Sequence, residues 1–321
     1  MREVLRLLQD GQFHSGESIG ALLGVSRAAV WKRLQHLEAA LGLEVHRVRG
    51  RGYRLASPLS LLDEEAILAV SSGFGWKAQI AESIDSTNAE VLRRLAASAE
   101  APLLVLAEKQ ESGRGRRGRT WVSPFGENLY YSLGLRLEGS TFPLDGLSLS
   151  VGLAVLRTLQ EVGCGNVGLK WPNDLLASGR KIAGVLLELA GDPAGACQVV
   201  IGIGINVNML PSSSTLIDQP WTSLREQLGC VVDRTELVLV LGRWLRHYLD
   251  LHGRDGFAAL REEWEMGHLW QGREVSLLAG SRRIDGRVLG VDRVGALRLD
   301  IAGQERQFSG GELSLRLRDD S

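Results

Sequence analysis

Hydrophobic residues in the first 57 positions recur at helical spacing and predict three short helices. The first helix carries the apolar residues Val4, Leu5, Leu7 and Leu8 and ends at Asp10-Gly11. Ser15 is the predicted N-cap of the second helix, whose inner face would hold Ile19, Leu22 and Leu23. Ser26 is the predicted N-cap of the third, which would bury Val30, Leu34 and Leu37. The Gly24-Val25 turn between the last two helices is typical of a helix-turn-helix.

The outer face of the third helix is basic, and the segment after it alternates like a β-hairpin. Residues 44–55 turn at Gly50 and Gly52, and this predicts a wing that offers four arginines to phosphates, namely Arg47, Arg49, Arg51 and Arg54. The second helix of a helix-turn-helix enters the major groove. The expected DNA-binding residues are therefore Ser26, Arg27, Trp31, Lys32, Arg33, Arg49 and Arg51. The alternative is a small helical domain whose basic residues form only a solvated face.

Strand and helix patterns are mixed from residue 59 to about 265. The predicted strands are Leu103–Ala107, Leu129–Leu137, Gly168–Trp171, Ile182–Leu189 and Gln198–Val207. The predicted helices cover 63–71, 86–98, 145–163 and 234–253. This mixed order favours an α/β or α+β sheet with helices over one face.

The C-terminal pattern differs again, because short strands are separated by Gly or Asp-Gly turns. The predicted strands are Val275–Leu278, Arg282–Val291, Ala296–Ile301 and Glu305–Phe308, which indicate a small β-barrel or sandwich. Pro58 restricts the residue before it to extended geometry and marks a linker. We therefore expect three domains, at 1–57, 58–268 and 269–321.

Charge separates the first of these domains from the rest. The net charge of the 321 residues is −1, but residues 1–57 hold nine Lys and Arg against five Asp and Glu. A small basic unit on an acidic body is typical of a nucleic-acid-binding appendage. The overall composition, 44% hydrophobic and 23% charged, excludes disordered, collagen-like and coiled-coil proteins.

Cysteine usage and hydropathy indicate the compartment. Cys164, Cys197 and Cys230 are an odd number without a CxxC pair, which favours reduced thiols over a disulfide framework or a zinc site. The N-terminus lacks the apolar stretch of a signal peptide. The longest core-like apolar run, Leu147–Leu156, is half the ~20 residues that a membrane span needs. We expect a cytoplasmic protein without membrane association.

The segment Gly113-Arg-Gly-Arg-Arg-Gly-Arg119 follows the strand that ends at Ala107 and is the strongest chemical feature. It contains GxGxxG, but residues 119–124 do not begin the helix that a dinucleotide-binding fingerprint requires. Glycines allow close approach to a ligand, and guanidinium groups bind phosphate in forked pairs. The pattern therefore predicts a flexible polyphosphate-binding loop, with an exposed basic loop or a second nucleic-acid contact as the alternatives.

Three further segments each have a structural alternative. Lys170-Trp-Pro-Asn-Asp174 places a lysine at a strand end for a carboxylate or phosphate, or is an ordinary turn. Gly202-Ile-Gly-Ile-Asn-Val-Asn208 leaves room beside a strand for a flat group, or is a glycine-relaxed core strand. Ile84-Asp-Ser-Thr-Asn88 could bind a neutral polar ligand or could only cap the helix over 86–98.

Taken together, these segments resemble the bacterial biotin protein ligases, specifically the bifunctional repressor-type members. The resemblance rests on DSTN at 85–88, EKQESGRGRRGRTW at 108–121, KWPND at 170–174, RKIAGVLLE at 180–188, GIGINVN at 202–208 and GGELSLR at 310–316. It implies a class II aminoacyl-tRNA synthetase-like catalytic domain and an SH3-like C-terminal β-barrel. The implied fold class is α+β, with an N-terminal winged helix-turn-helix.

The resemblance also implies a two-step acyl transfer. The biotin carboxylate attacks the α-phosphorus of ATP, and biotinyl-5′-AMP and pyrophosphate form. A lysine of the biotin carboxyl carrier protein of acetyl-CoA carboxylase then attacks the mixed anhydride and AMP leaves. Such chemistry rests on orientation and charge stabilisation. Mg²⁺ would accompany ATP without a dedicated protein cage, so no metal-ligating residues are expected.

The same resemblance implies roles for individual residues. Those expected around biotin are Ser86, Thr87, Asn88, Gln110, Gly113, Arg114, Gly115 and Arg116. Arg116 and Arg119 would bind phosphates, while Lys170, assisted by Lys181, would neutralise the carboxylate and the bridging oxygen. Gly202 and Gly204 would allow a ligand to approach closely. Asn206, Trp121 and the loop 209–220 would close over the adenine.

A repressor of this type would use biotinyl-5′-AMP as corepressor. Adenylate binding would promote homodimerisation and pair two helix-turn-helix units on a palindromic operator of the biotin synthesis genes, which requires tighter binding to the dimerising state. Two alternatives stay open. One is a lipoate or octanoate ligase of the same fold, and the other is a ligand-sensing transcription factor that no longer catalyses.

Overall fold

The N-terminal region is a three-helix unit with a two-stranded wing. The computed structural model of the chain describes residues 2–138, 142–191, 196–211, 217–280, 282–310 and 313–318. The helices are α1 (Arg2–Leu8), α2 (Gly16–Leu23) and α3 (Arg27–Leu41), and the antiparallel wing strands are β1 (Val45–Val48) and β2 (Gly52–Leu55). The predicted helix-turn-helix and wing are confirmed.

Side-chain caps and an apolar core account for this unit. The Ser15 and Ser26 hydroxyls accept hydrogen bonds from the Ser18 and Ala29 amides, as N-caps do. The prediction for Leu22 is wrong, because this side chain is 67% exposed. α2 buries the stripe of Gly16, Ile19 and Gly20, with Leu23 half-buried, and Leu22 lies off that stripe.

The central region contains a mixed sheet. Within the described residues its strand order is β3-β4-β5-β9-β8-β7-β6, with β3 parallel to β4 and the other pairs antiparallel. The strands are β3 (Lys77–Ala81), β4 (Leu103–Ala107), β5 (Leu129–Glu138), β6 (Val167–Lys170), β7 (Asp174–Ala177), β8 (Arg180–Gly191) and β9 (Ala196–Ile205). β3 and β7 are additions to the predicted strands.

Helices cover both faces of this sheet, so the expectation of one covered face is wrong. They are α4 (Glu64–Gly73), α5 (Thr87–Ala96), α6 (Leu147–Glu161), α7 (Leu224–Leu228), α8 (Arg234–Asp255) and α9 (Arg261–Gly267). Leu104 and Leu106 point into the large core with α6 and α8, while Leu103 and Val105 pack with Val91 and Leu95 of α5. Side chains alternate along a strand, so α5 lies on the opposite face.

The C-terminal region is an antiparallel sheet. In the part of the chain that the structure describes, its order is β13-β12-β11-β10-β14. The strands are β10 (Glu274–Ala279), β11 (Arg282–Val291), β12 (Leu297–Ile301), β13 (Gln304–Phe308) and β14 (Leu313–Leu317). β14 was not predicted, and it pairs with β10 beside the central region.

The N-terminal unit packs directly on the central region. The Leu59 amide donates to the Gln9 carbonyl oxygen at 2.9 Å. Phe125, which precedes β5, is buried in the N-terminal core together with Leu59. Just after the linker, within the central region, Arg234 and Glu108 form a buried ion pair (2.5 Å), and Arg234 also donates to the Ser60 carbonyl oxygen.

None of the helices in the described ranges is both long and apolar enough to cross a bilayer.

Candidate active site

The candidate site lies on the α5 face of the central sheet, where three neighbouring strands present small or polar side chains. In the register, Tyr130 and Ser132 of β5 lie opposite Gly204 and Gly202 of β9. Gly184 and Leu186 of β8 lie opposite the same glycines. The helix α5 begins over this surface, so its first two residues, Thr87 and Asn88, face the sheet. The sheet register therefore provides the floor of a pocket.

A first cavity of about 60 Å³ occupies this floor. Thr87 Oγ1 lines it and lies 2.7 Å from the Ser132 hydroxyl oxygen and 3.0 Å from Gln110 Oε1. Gln110 in turn donates to the Ser123 hydroxyl at 3.1 Å. Polar groups in a hydrogen-bonded chain of this kind suit a neutral ligand with amide-like groups. The predicted residues that line this cavity are Ser86, Thr87, Asn88, Gln110, Arg114, Gly115, Arg116, Trp121, Lys181, Gly202 and Gly204.

Asn88 and Ser86 are already engaged within the protein. Asn88 Oδ1 accepts from the Ser132 hydroxyl at 2.5 Å, and its Nδ2 donates to Glu188 at 2.7 Å. The Ser86 hydroxyl caps α5 by accepting from the Ala89 amide. Asp85, next to Ser86, is hydrogen-bonded to Arg93, which lowers the pKa of Asp85 to about 2. The capping interpretation of this segment is therefore correct, although the same residues also line the cavity.

The arginine loop folds back on itself as a short hairpin. The Gly115 amide donates to the Arg119 carbonyl oxygen (2.7 Å), and the Trp121 amide donates to the Gly113 carbonyl oxygen (2.9 Å). Irregular residues and a turn over 125–127 lead from this loop to β5 without an intervening α-helix, in agreement with the rejected dinucleotide fingerprint. Gly113 is buried against Trp121 and Ser123, where a Cβ would lie 2.4 Å from the Trp121 carbonyl oxygen. Gly113 is therefore required by packing, and it lines neither of the two cavities described here, against the expectation that it surrounds biotin.

The two glycines of β9 make room for protein side chains. A Cβ on Gly202 would lie 2.3 Å from Asn88 Oδ1, and a Cβ on Gly204 would lie 2.5 Å from the Trp121 indole. The flat group beside the strand is thus the indole of Trp121. We infer that the glycines shape the pocket indirectly, by letting Asn88 and Trp121 lie against the sheet.

A second cavity of about 390 Å³ adjoins the first. The two share the lining residues Gly115, Arg116, Trp121, Asn173 and Lys181. Arg116 donates to Asn173 Oδ1 at 2.5 Å, which fixes the loop to the turn after β6. The remaining predicted residues that line the second cavity are Arg119, Lys170 and Asn206.

Lys170, Asp174 and Lys181 form a cationic cluster in this second cavity. Lys170 and Asp174 are directly opposite in the β6–β7 hairpin, and Asp174 binds Lys181 at 2.6 Å and Lys170 at 3.9 Å. Burial lowers the pKa of Lys170; Asp174 opposes this shift, and the nearby cations Lys181, Arg316 and Arg119 add to it. Burial also lowers the pKa of Arg116. One carboxylate among several cations leaves a net positive field for an anionic ligand.

Asn206 has a different environment from the one expected. It is buried, and its side-chain amide donates to the carbonyl oxygens of Thr222 (3.0 Å) and Lys181 (3.4 Å). Asn206 therefore holds the segment around Trp221 against β8. Of the loop 209–220, residues 212–216 lie outside the described residues, while Ile217, Asp218 and Gln219 line the cavity.

Several lining residues were missed by the sequence analysis. The C-terminal strand β14 contributes Leu313, Ser314 and Leu315 to the second cavity, and Glu188 of β8 lies behind the first cavity, where it binds Asn88. Ser132 had a detectable signal, because it is a polar residue inside the apolar strand over 129–137. Glu188 and β14 lie in segments that carry the family resemblance, but their contacts were not predictable, since these depend on residues far away in the chain.

The predicted DNA-binding surface is exposed. Arg27, Trp31, Lys32 and Arg33 all lie on the open face of α3. Arg51 of the wing stacks on Phe13 at 4.3 Å, whereas Arg47 is paired with Glu38. Ser26 serves as the N-cap of α3.

Comparisons with known proteins agree with this arrangement. Residues 80–206 match the Biotin/lipoate A/B protein ligase family, residues 1–54 match an HTH domain, and residues 271–316 match the Biotin protein ligase C terminal domain.

Similar proteins extend over almost the whole chain. It is 41% identical over 314 residues to the bifunctional ligase/repressor BirA of Escherichia coli, covering 98% of this chain and 96% of that protein. It is 32% identical over 298 residues to BirA of Bacillus subtilis, covering 90% of each. A biotin protein ligase from Aquifex aeolicus in complex with biotin and ATP superposes with a TM-score of 0.66 at 31% identity, covering 75% of this chain and 99% of that one.

Proposed function

The chain belongs to the biotin protein ligase family, among its bifunctional ligase/repressor members, and we propose that it activates biotin with ATP and biotinylates a carrier-protein lysine. The observation that carries this proposal is the pair of adjoining cavities. The smaller is lined by hydroxyl and amide groups, the larger is cationic, and Arg116 and Lys181 line both. Such a pair accommodates a neutral ring and a polyphosphate with their reactive ends in contact.

Biotin occupies the first cavity. Its ureido ring hydrogen-bonds to the chain of polar groups that includes Thr87 and Gln110, while Ser86 and Asn88 shape the wall from the start of α5. The loop residues Arg114, Gly115 and Arg116 close one side, and Gly113 keeps the loop packed. The carboxylate then lies toward the second cavity, where the lysines are.

ATP occupies the second cavity, and Lys170 acts at the reacting centre. The cations Lys170 and Lys181 draw the biotin carboxylate and the α-phosphate together against their mutual repulsion. A carboxylate oxygen attacks the α-phosphorus, the bond to the bridging oxygen breaks, and pyrophosphate leaves with Arg116 and Arg119 stabilising its charge. Mg²⁺ would be bound mainly by phosphate oxygens and water.

The second step uses the same orientation. The neutral ε-amine of a lysine on the biotin carboxyl carrier protein of acetyl-CoA carboxylase attacks the acyl carbon of biotinyl-5′-AMP. An amide forms and AMP leaves with the electron pair of the broken acyl–phosphate bond. Trp121 lines both cavities and, together with Asn206 of the second cavity, would form the wall against which the adenine packs.

Pyrophosphate exchange into ATP tests the ligase. Exchange should depend on biotin, and mass spectrometry should show biotin added to a carrier domain. Exchange that depends on lipoate and not on biotin would identify a lipoate ligase instead. The absence of both exchange and labelling would identify a ligand-sensing regulator without catalytic activity. Arg116→Ala should lose exchange while retaining the folded circular dichroism spectrum.

The N-terminal domain, which we delimit at residues 1–57, would repress biotin synthesis genes by binding operator DNA. α3 would enter the major groove with Arg27, Trp31, Lys32 and Arg33, and Arg49 and Arg51 of the wing would contact phosphates. Biotinyl-5′-AMP would favour a homodimer that pairs two such domains. Mobility shifts on an operator fragment, with and without adenylate, test this proposal. Binding retained after deletion of 1–57 would refute it.

A further inference from the structure

Glu188 connects the floor of the first cavity to the arginine loop. Its Oε2 accepts a hydrogen bond from Asn88 Nδ2 at 2.7 Å and one from the Arg114 guanidinium at 3.0 Å. Glu188 lies on β8 opposite Val200 of β9, on the same face as Gly202. A single carboxylate oxygen therefore joins two walls that come from distant parts of the chain.

The contact with Asn88 fixes the orientation of that amide. Asn88 Oδ1 accepts from the Ser132 hydroxyl, so Nδ2 is left to donate to Glu188. The side chain lies on Gly202, where there is no Cβ to displace it. With the amide held at both ends, the Ser132 hydroxyl is kept beside Thr87 and Gln110 in the polar chain of the cavity.

The contact with Arg114 holds the loop. Arg114 lies at the start of the loop hairpin, opposite Thr120, and its side chain is 44% exposed, whereas that of Glu188 is 23% exposed. An ion pair at this depth is screened only in part, so its contribution is that of a modest charge-assisted hydrogen bond. Arg114 also lines the first cavity, so the pair closes that cavity on the loop side.

We propose that Glu188 is a positioning residue that sets how long biotin is retained, by holding Asn88 and the arginine loop in their binding positions. The inference rests on the proposed function, because it takes biotin as the occupant of the first cavity. Glu188 itself does not touch the reacting atoms. Its removal should therefore act on biotin dissociation and on KM for biotin, with little effect on kcat.

The two arms of the contact can be separated by substitution. Glu188→Gln removes the charge that faces Arg114 but keeps an oxygen that can accept from Asn88. We expect about three- to fivefold faster dissociation of biotin from this variant. Glu188→Ala also removes the acceptor for the buried Asn88 amide and should accelerate dissociation about tenfold or more. Arg114→Gln combined with Glu188→Gln should be no worse than either alone.

The experiment is stopped-flow and calorimetric binding of biotin alone to the full chain, with thermal unfolding of each variant. Glu111→Gln is the matched control, because Glu111 is an exposed carboxylate near the same loop that pairs with Lys109 and Ser83 instead. Failure of the wild-type chain to bind biotin would refute the proposed function. Normal wild-type binding with unchanged dissociation in both Glu188 variants, or equal effects of the Glu111 control, would refute the inference.

Discussion

Two clusters of buried charge in this molecule differ in their balance of cations and anions. In the core of the central region, Arg234 and Glu108 are 0% and 3% exposed, and each pairs with the other and with backbone groups. In the second cavity, Lys170, Asp174 and Lys181 are 16–19% exposed and combine two cations with one carboxylate. The first cluster is balanced within the protein, whereas the second leaves positive charge directed at an open cavity.

The difference distinguishes structural charge from functional charge. Glu108 accepts from the Leu62 amide with its second oxygen, while Arg234 donates to the Asn128 and Ser60 carbonyl oxygens. Burial of such a pair is tolerated because most of its hydrogen bonds are supplied in the fold, although Arg234 Nη2 is buried without a partner among the described residues. The cavity cluster lacks an equal number of anions, so its balance is completed by a ligand. Stability should depend on the first cluster and catalysis on the second.

The largest expected effect is on stability, from Arg234→Met. Loss of the guanidinium leaves the Glu108 carboxylate buried without its partner, which should cost about 3–5 kcal/mol of unfolding free energy. Urea denaturation measures this change. The control Arg246→Met breaks a solvent-exposed pair with Asp250 and should cost less than about 1 kcal/mol. Equal losses in the two variants would contradict the comparison.

Lys170→Ala should have the converse result, a loss of catalysis without a loss of stability. Loss of a charge that stabilises the reacting centre should reduce biotin-dependent pyrophosphate exchange by about 10²–10³-fold. Removing one of two neighbouring cations should leave the urea midpoint unchanged or raise it. A marked loss of stability in this variant would place Lys170 in the structural class and refute the distinction drawn between the clusters.

His268 extends the comparison to a buried group that burial keeps uncharged at neutral pH. Burial lowers its pKa from 6.5 to about 4, and its ring stacks on Trp264 with centroids 4.7 Å apart. Between these two pKa values the unfolded chain binds a proton that the native state does not. Stability should therefore fall by up to about 3 kcal/mol as pH decreases from 6.5 to 4.

The variant His268→Leu isolates this effect. Its unfolding free energy should lose that part of the acid dependence, whereas His247→Gln, at an exposed position, should keep the wild-type profile. Identical pH profiles for wild type and His268→Leu would show that the burial of this histidine does not control acid stability.

The smallest predicted effect is a shift in a pH profile, from Asp174→Asn. Asp174 opposes the burial-driven decrease in the pKa of Lys170, so its neutralisation should lower that pKa further. Because the charged lysine is required, exchange activity should decline at a lower pH on the alkaline side than in the wild type. An unshifted alkaline limb in this variant would contradict the role of Asp174.

Local signals predicted much of the fold. Ser15 and Ser26 mark helix starts because their hydroxyls cap free amides, and β4 has the predicted bounds, Leu103–Ala107. β7 was missed because Pro172-Asn173-Asp174 is a turn signal. The turn is real, but it is the turn of a hairpin, and the strand begins at Asp174 itself.

The sequence predicted which segments form the candidate site, but it did not predict how their side chains contact one another. Motif spacing identified residues around Thr87, Arg116 and Lys170, and the structure brings them to one surface. The contact between Asn88 and Glu188 spans 100 positions of sequence, so local patterns contain no trace of it. The occupation of the space over Gly204 by Trp121 likewise depends on tertiary packing.

Phe125 has a consequence for making shorter versions of this protein. It follows the arginine loop in sequence, yet its ring is buried among side chains of the N-terminal domain. A ligase that started at residue 58 would expose this ring beside Leu59 and Leu61, and a new apolar patch promotes self-association. Anyone wishing to purify the catalytic half alone should therefore pair the truncation with a polar residue at position 125.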